Sequence, residues 1–411
     1  MSARQRVRDA EHRAADAARH SVPALITGGA GDDPAGVVTY TVVGATTGLS
    51  QLWLLLVSTP MLAAATSMAA RIALASRAGL AAVIERRYGR AASILVVMLL
   101  AIPNVATISA DVAGVASAFE MFTGWRWELF VPLILLALGL LMRRGYATMK
   151  RVLTLFTLVL LTYAVAAWLA RPDWLAVAQA TFIPRVELEK TWLLAALGLI
   201  GTTISPYMLF WQATEEVEEL HRGAIVEARH GDGDIWVGMI YSNAIAFFII
   251  VAAAATIHGT KPIATVADAA RALEPLHSVG DAAFIIGIVA AGLLALPVLA
   301  ASTAYAFADV FGWREGLDAG AGTARAFYLV LALALVGGAL ISLLPDFEPA
   351  AALFYTQVLD GVLLPLILIV LLLLSNDRRV VGTHRNPRWV NIVGVLTVLV
   401  ALAADFAALL T

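Results

Sequence analysis

The chain of 411 residues contains no cysteine, and only 14% of its residues carry charge. Without cysteine there is no disulfide framework, no thiolate metal site and no thiol nucleophile. So little charge beside 60% hydrophobic residues and a mean hydropathy of +0.83 excludes an ordinary soluble domain and indicates a polytopic membrane protein. Lysine is nearly absent beside arginine, and no basic block suggests a nucleic-acid partner. The seven histidines are scattered, with no His-x-x-x-His pair of the kind that binds zinc. Residues 1–21 carry Arg4, Arg6, Arg8, Arg13 and Arg19 among acids. No small-residue cleavage site follows an apolar run there, so a retained polar arm is expected rather than a removed leader.

Hydropathy predicts eleven spans of about the ~20 residues that a bilayer core requires. They fall at roughly 22–46, 50–75, 92–122, 127–142, 150–170, 191–219, 235–257, 281–308, 324–344, 349–374 and 389–410. The loops 171–190 and 258–280 are long enough for short surface helices. With the amino terminus in the cytoplasm, one side keeps only Arg126, Arg171, Arg185, Lys190, Lys261 and Arg271 of the 28 basic residues. The rest lie inside, including the Arg71–Arg90 loop and the Arg378–Arg388 group. That asymmetry fits the positive-inside rule, places the carboxyl terminus outside and supports eleven spans. The expected location is the bacterial inner membrane.

Two spans are interrupted. In the first, Gly28-Gly29-Ala30-Gly31-Asp32-Asp33-Pro34-Ala35-Gly36 sits where continuous helix would run. A charged side chain at mid-membrane costs ~2.5–3.5 kcal/mol on insertion scales, and broken backbone survives only against protein or a water-filled cavity. In the sixth, Gly198, Gly201, Thr202, Thr203, Ser205 and Pro206 weaken the helix, Pro206 by removing a backbone donor. Spans one and six are matching members of two five-span halves, 22–170 and 191–374, with 389–410 as an extra span. Five is odd, so the second half starts on the opposite side and the repeat is inverted. Paired interruptions of this kind point to a transporter site.

The residues at these breaks resemble those of a known family. Asp33-Pro34-Ala35-Gly36 is similar to the Asp-Pro-Gly-Asn signature of Nramp divalent-metal transporters, and Ser205-Pro206-Tyr207 falls at their Met-Pro-His. Asp111 looks like the family's third-span acid. Gln357, eight residues before Pro365, and Ser375-Asn376-Asp377 resemble its tenth span. The resemblance implies a LeuT-like fold with a metal site between the two broken helices. The departures are systematic: Gly36 replaces the asparagine, Ser205 the methionine, Tyr207 and Gln212 the histidines, and Gly114 an acid one turn after Asp111. Each removes a soft ligand or a proton-relay candidate. The pattern is closer to Nramp-related magnesium transporters, which implies Mg²⁺ and Mn²⁺ transport without proton coupling.

Apart from any family, the same residues suit a hard cation. Asp33 offers an anionic oxygen, and Thr202, Ser205 and Gln357 offer neutral ones, as do carbonyls freed at the breaks. Oxygen-only ligation favours Mg²⁺, Mn²⁺ or Ca²⁺. Mg²⁺ keeps several waters, so one or two carboxylates in a roomy cavity suffice. Asp32 fits a second ligand and equally a cap. Asn104, Thr107 and Asp111 share one helical face, which either lines an aqueous path or bonds neighbouring helices. Asn243 has the same two readings. Asp360 shares a face with Gln357 at i and i+3. Met208, one turn beyond Ser205, would restore a sulfur ligand under a shifted register. Glu215, Glu216, Glu218 and Glu219 read either as a cation-attracting mouth or as a solvated helix end.

The expectation is a monomeric α-helical carrier of divalent cations, with the metal as cargo and no cofactor. The alternatives are a proton-coupled Mn²⁺/Fe²⁺ symporter of the Nramp type and an organic-solute transporter of LeuT fold. Asp33 would repel an amino-acid carboxylate, which weighs against the second. An enzyme is not expected. Gly29-Ala30-Gly31-Asp32 fits the Gly-x-Gly-Asp of intramembrane aspartyl proteases, but no earlier span carries the partner aspartate.

Overall fold

The structure, a computed structural model, describes residues 32–142, 158–221, 231–260, 262–317, 319–320 and 322–410. The polar arm and the Gly28–Gly31 half of the first break lie outside the described residues, as does the start of the fifth span. Among the described residues all regular structure is helical. Among the described residues eight helical stretches, with Lys190–Leu220 counted as one, are long and apolar enough to cross a membrane. They are the second, third and sixth to eleventh of the predicted spans. The described parts of spans one and five and the shorter Trp127–Met142 segment complete the eleven. The chain is an integral membrane protein.

The first span appears as α1, Pro34–Thr47. Pro34 occupies the first turn, where its missing N–H costs nothing, and the Asp33 side chain caps the start by accepting from the Gly36 N–H. Helix α2 (Leu52–Ser76) returns, and a short α3 (Leu80–Tyr88) follows inside the predicted arginine loop. Loop reading overlooked α3 because only its inner face, Leu80, Ala81, Val83 and Ile84, is apolar and buried. Helix α4 (Arg90–Thr123) is the third span, and α5 (Val131–Met142) the short fourth. The fifth ends in α6 (Thr162–Leu169). The loop expected to hold a surface helix carries α7 (Trp174–Phe182).

The sixth span divides as its sequence predicts, into α8 (Lys190–Thr203) and α9 (Pro206–His221). Ile204 leaves helical geometry at φ −122°, ψ 61°, and Pro206 cannot restore the ladder. The Ser205 hydroxyl donates to the Gly201 and Thr202 carbonyls at 2.8 and 3.1 Å, satisfying acceptors that the break exposes. Then come α10 (Gly231–Thr256), the short α11 (Val266–Ala270) in the second long loop, α12 (Gly280–Phe311) and α13 (Arg325–Ser342). Helix α14 (Pro349–Asn376), one turn of α15 (Arg378–Val381) and α16 (Arg388–Leu410) end the chain.

The polar interior is built where α1, α4, α8 and α14 meet. Helices α8 and α14 approach through two glycines: a Cβ on Gly201 would overlap the Gln357 carbonyl and the Gly361 backbone, and one on Gly361 would meet the Leu197 carbonyl. Only hydrogen at both positions lets these backbones touch. Large apolar side chains such as Leu95, Leu133, Trp168, Leu333, Leu373 and Phe406 stay exposed on the outside, as a lipid-facing surface requires.

Candidate cation site

Asp33 sits at the helical entry of α1, 1% exposed. Its Oδ1 accepts from the Gly36 N–H at 2.5 Å, and its Oδ2 accepts from the Tyr207 hydroxyl of α9 at 3.3 Å. The starts of α1 and α9 are therefore joined at one carboxylate. Asp32 is fully buried and turns towards α10, where the Ser242 hydroxyl donates to it at 3.2 Å. Asp111 of α4 accepts from the Ala35 N–H at 3.0 Å, which ties the third span to the start of α1. Asp360 of α14 lies within Coulombic range of Asp33 and Asp111.

Several polar atoms of this buried cluster lack partners. One oxygen each of Asp32 and Asp111, both oxygens of Asp360, both ends of the Gln357 amide and the Thr107 hydroxyl have no hydrogen-bond partner. Among the described residues no arginine or lysine pairs with any of the four aspartates. An unpaired buried carboxylate costs several kcal/mol. The arrangement is one that positive charge would stabilise, and its oxygens are hard donors. Among the described residues no group of three or more His, Cys, Asp or Glu side chains is placed to hold a metal ion.

The sequence-predicted residues separate into two groups. Asp32, Asp33, Gly36, Asp111, Tyr207, Gln357 and Asp360 are buried where α1, α4, α9 and α14 pack, with Thr202 and Ser205 buried in the adjoining break. The other group is engaged elsewhere. The Asn104 amide donates to Leu299 O, Ser302 and Thr303 at 3.4, 3.2 and 2.9 Å, bonding α4 to α12. The Asn243 amide reaches Leu55 O, Ser58 and Thr59 on α2, the last at 2.6 Å. Gln212 donates to Glu216 at 2.9 Å within α9. For Asn104 and Asn243 the geometry is that of the helix-bonding alternative.

Two contributors escaped the sequence reading. Ser242 was overshadowed by Asn243 beside it, and only the structure shows which of the two turns to Asp32. Tyr40 is buried on α1 with its hydroxyl against Thr202 and Thr203. It lies two turns after Asp33, and that spacing was its only signal. At the far end of α9, Tyr305 donates to Glu218 at 2.9 Å and accepts from the Leu317 N–H at 3.2 Å. Glu315, in the loop beyond, is pushed up to about 8 by burial and by the neighbouring Asp309 and Glu218 carboxylates.

A many-span helical protein whose sixth span breaks beside buried carboxylates has a LeuT-like architecture by fold. The solved crystal structure of the Eremococcus coleocola manganese transporter superposes with a TM-score of 0.75 at 20% identity, covering 94% of this chain and 85% of that one. MhsT, crystallised with L-phenylalanine, superposes at 0.61 with 13% identity, covering 94% and 98%. By sequence, the divalent metal cation transporter MntH of Deinococcus radiodurans is 27% identical over 403 residues, 93% of this chain and 87% of that protein. The model of the natural resistance-associated macrophage protein-like (Nramp) family matches residues 24–411, and the chain belongs to that family. The Deinococcus and Eremococcus proteins are both named as metal transporters, not enzymes.

Proposed function

We infer that this chain carries divalent metal cations across the membrane by alternating access, favouring Mg²⁺ with Mn²⁺ second, without moving protons. The observation that carries the reading is the buried polar cluster around Asp33: several carboxylate and amide oxygens without partners, no cationic partner among the described residues and no cysteine. The names of its relatives supply divalent cations as the class. The preference within that class follows from the donors. Ser205 stands where a soft sulfur would draw transition metals, and a site without three convergent carboxylates suits an ion that keeps several waters.

The absence of coupling follows from what replaces the family's titrating groups. Tyr207 gives its hydroxyl to Asp33, and Gln212 gives its amide to Glu216. At Gly114, where an acid would stand, an added Cβ meets the Leu353 side chain at 3.0 Å. Uptake is then driven by the ion gradient and the membrane potential, which supplies ~4.6 kcal/mol for a divalent ion at 100 mV.

We read spans 1–5 and 6–10 as inverted repeats, with the repeat segments holding α1, α8 and α9 rocking against the rest. The protein acts as a monomer in the inner membrane, amino terminus inside and carboxyl terminus outside. Contacts between distant loops support that parity. Arg87 pairs with Asp377, joining two loops assigned to the inside. His258 Nδ1 meets the Ala45 carbonyl at 2.9 Å, joining two segments assigned to the outside.

The test is uptake into proteoliposomes under a negative-inside potential, with Mg²⁺ and Mn²⁺ compared while internal pH is recorded and Asp33→Ala runs alongside. Mg²⁺ entry without acidification, lost in the variant, is expected. Mn²⁺ entry with acidification and no Mg²⁺ entry would overturn the preference and the lack of coupling, in favour of a proton symporter.

A further inference from the structure

Seven exposed arginines gather where α4 begins, α14 ends and α16 begins, far from the aspartates of the cation site. Arg87 pairs with Asp377, which holds the corner between α3 and α4 against the turn after α14. Arg86 and Arg90 flank Arg87 along the chain, and Arg378 and Arg379 follow Asp377 directly. The Asn386 amide donates to Ser375 at 2.8 Å, which folds the neighbouring Arg385 and Arg388 back onto the same end of α14.

Acids do not balance this charge. Residues 80–90 and 377–391 hold only Glu85 and Asp377, and Arg87 alone of these arginines has an ion-pair partner among the described residues. Asp309 of α12 attracts Arg86 only at a distance, while its carboxylate accepts from the Ala81 and Ala82 N–H groups of α3. Aromatic rings mark the depth. The Arg87 guanidinium lies 5.4 Å from the centre of the Tyr88 ring, and that of Arg90 lies 5.1 Å from the centre of Phe311, which stacks on Trp313 at 4.9 Å. All three rings are partly open, Tyr88 at 42%, Phe311 at 40% and Trp313 at 37% exposure. Aromatic side chains at the ends of membrane helices sit at headgroup level. An arginine fork matches phosphate with two parallel N–H donors.

We propose that this surface, framed by the α3–α4 corner and the α14–α16 turn, docks the headgroup of an anionic phospholipid, whose phosphate is gripped by arginines from both segments. A lipid seated there bridges the two segments as the Arg87–Asp377 pair does, and stabilises the folded chain by binding it. A zwitterionic headgroup brings its own cation, which these arginines repel. The opposite end of the helices offers less free charge, since Arg126 there is paired with Glu128 and Arg271 with Asp268.

Native mass spectrometry of the purified full chain, titrated with phosphatidylglycerol or with phosphatidylcholine of the same acyl chains, reads the preference. Melting temperature of the same samples reads the bridging. Phosphatidylglycerol should be held more tightly and raise the melting temperature, and phosphatidylcholine should not. Arg90→Gln combined with Arg378→Gln should weaken phosphatidylglycerol binding roughly 30-fold. Arg185→Gln combined with Lys190→Gln, at the opposite end, should leave it unchanged. Equal binding of the two lipids, or a preference that survives Arg90→Gln with Arg378→Gln, would overturn the proposal. Inorganic phosphate raising the melting temperature as much as the lipid would overturn it too, by making free phosphate the ligand. If the double variant is not monodisperse, the wild-type preference at low and high salt decides, because a preference untouched by salt contradicts exposed arginines as its source.

Discussion

Helix α14 is polar at two heights, and the two are built on opposite rules. Towards its end, Asn376 donates to Leu372 O and to Asn391 Oδ1 at 2.9 and 2.8 Å, and Asn391 donates back to Asn376 Oδ1 at 2.9 Å. Asn386 bridges Ser375 and Asn391 at 2.8 and 2.9 Å, locking α14 against α16. Amides carry donors and acceptors together, so this cluster closes on itself apart from the Asn386 carbonyl oxygen. Midway along the same helix, Gln357 and Asp360 find neither. Carboxylates accept and never donate once ionised, so a group of them stays incomplete until something positive arrives. A satisfied polar cluster fastens helices. A carboxylate-rich one with no cationic side chain awaits an ion.

That contrast can be broken at both ends, and the largest effect is expected in the cavity. Asp33→Asn keeps the shape and removes the charge; losing one partner of a buried ion pair costs ~3–5 kcal/mol, which predicts a fall of roughly 10²–10⁴-fold in metal affinity by calorimetry. Asp33→Asn protein should nevertheless stay monodisperse. A smaller effect, on stability first, is expected at the backbone contact that frames the site. Gly361→Ala forces a Cβ to within 2.5 Å of the Leu197 carbonyl. Overpacking of this kind costs ~1–3 kcal/mol, visible as a lower melting temperature in detergent. Asn391→Ala should cost a similar ~1–3 kcal/mol by orphaning its neighbours' amides, yet leave the Mg²⁺/Mn²⁺ preference unchanged. A shifted preference there would mean the two polar regions are not separate.

The smallest effect is one of pH, at Glu315. Its folded-state value of about 8 lies above the ~4.3 of a free glutamate, because burial disfavours the charged form. The folded state therefore holds the proton more tightly than the unfolded state. The stability this contributes is complete below pH ~4.3 and is lost as pH rises through about 8. Melting temperature against pH should decline across that window, and Glu315→Gln should flatten the decline.

Much of this was legible in the residues. Eleven spans and the split sixth helix follow from hydropathy, Pro206 and the arginine distribution, because a bilayer imposes length and charge rules on the chain directly. Asp33, Asp111, Gln357 and Asp360 stood out as acids and an amide in apolar surroundings, and all four gather at the cavity. The rest needed three dimensions. Asn104 and Asn243 carry the same sequence signal as Gln357, yet helices α12 and α2 supply acceptors for their amides while nothing does so for Gln357. Partner supply depends on which helices become neighbours, and spacing along one helix is silent about that. Helix α3 was hidden for a related reason, since its apolar face is only four residues wide.

The most direct test of the central claim is to locate the ion. Crystals grown or soaked with Mn²⁺ alone should show an anomalous peak beside Asp33, between the start of α1 and the break at Ser205. Such a peak, lost in Asp33→Asn crystals, is the predicted result. Anomalous density confined to the protein surface at saturating Mn²⁺, with the Asp33 cavity empty, would contradict the account.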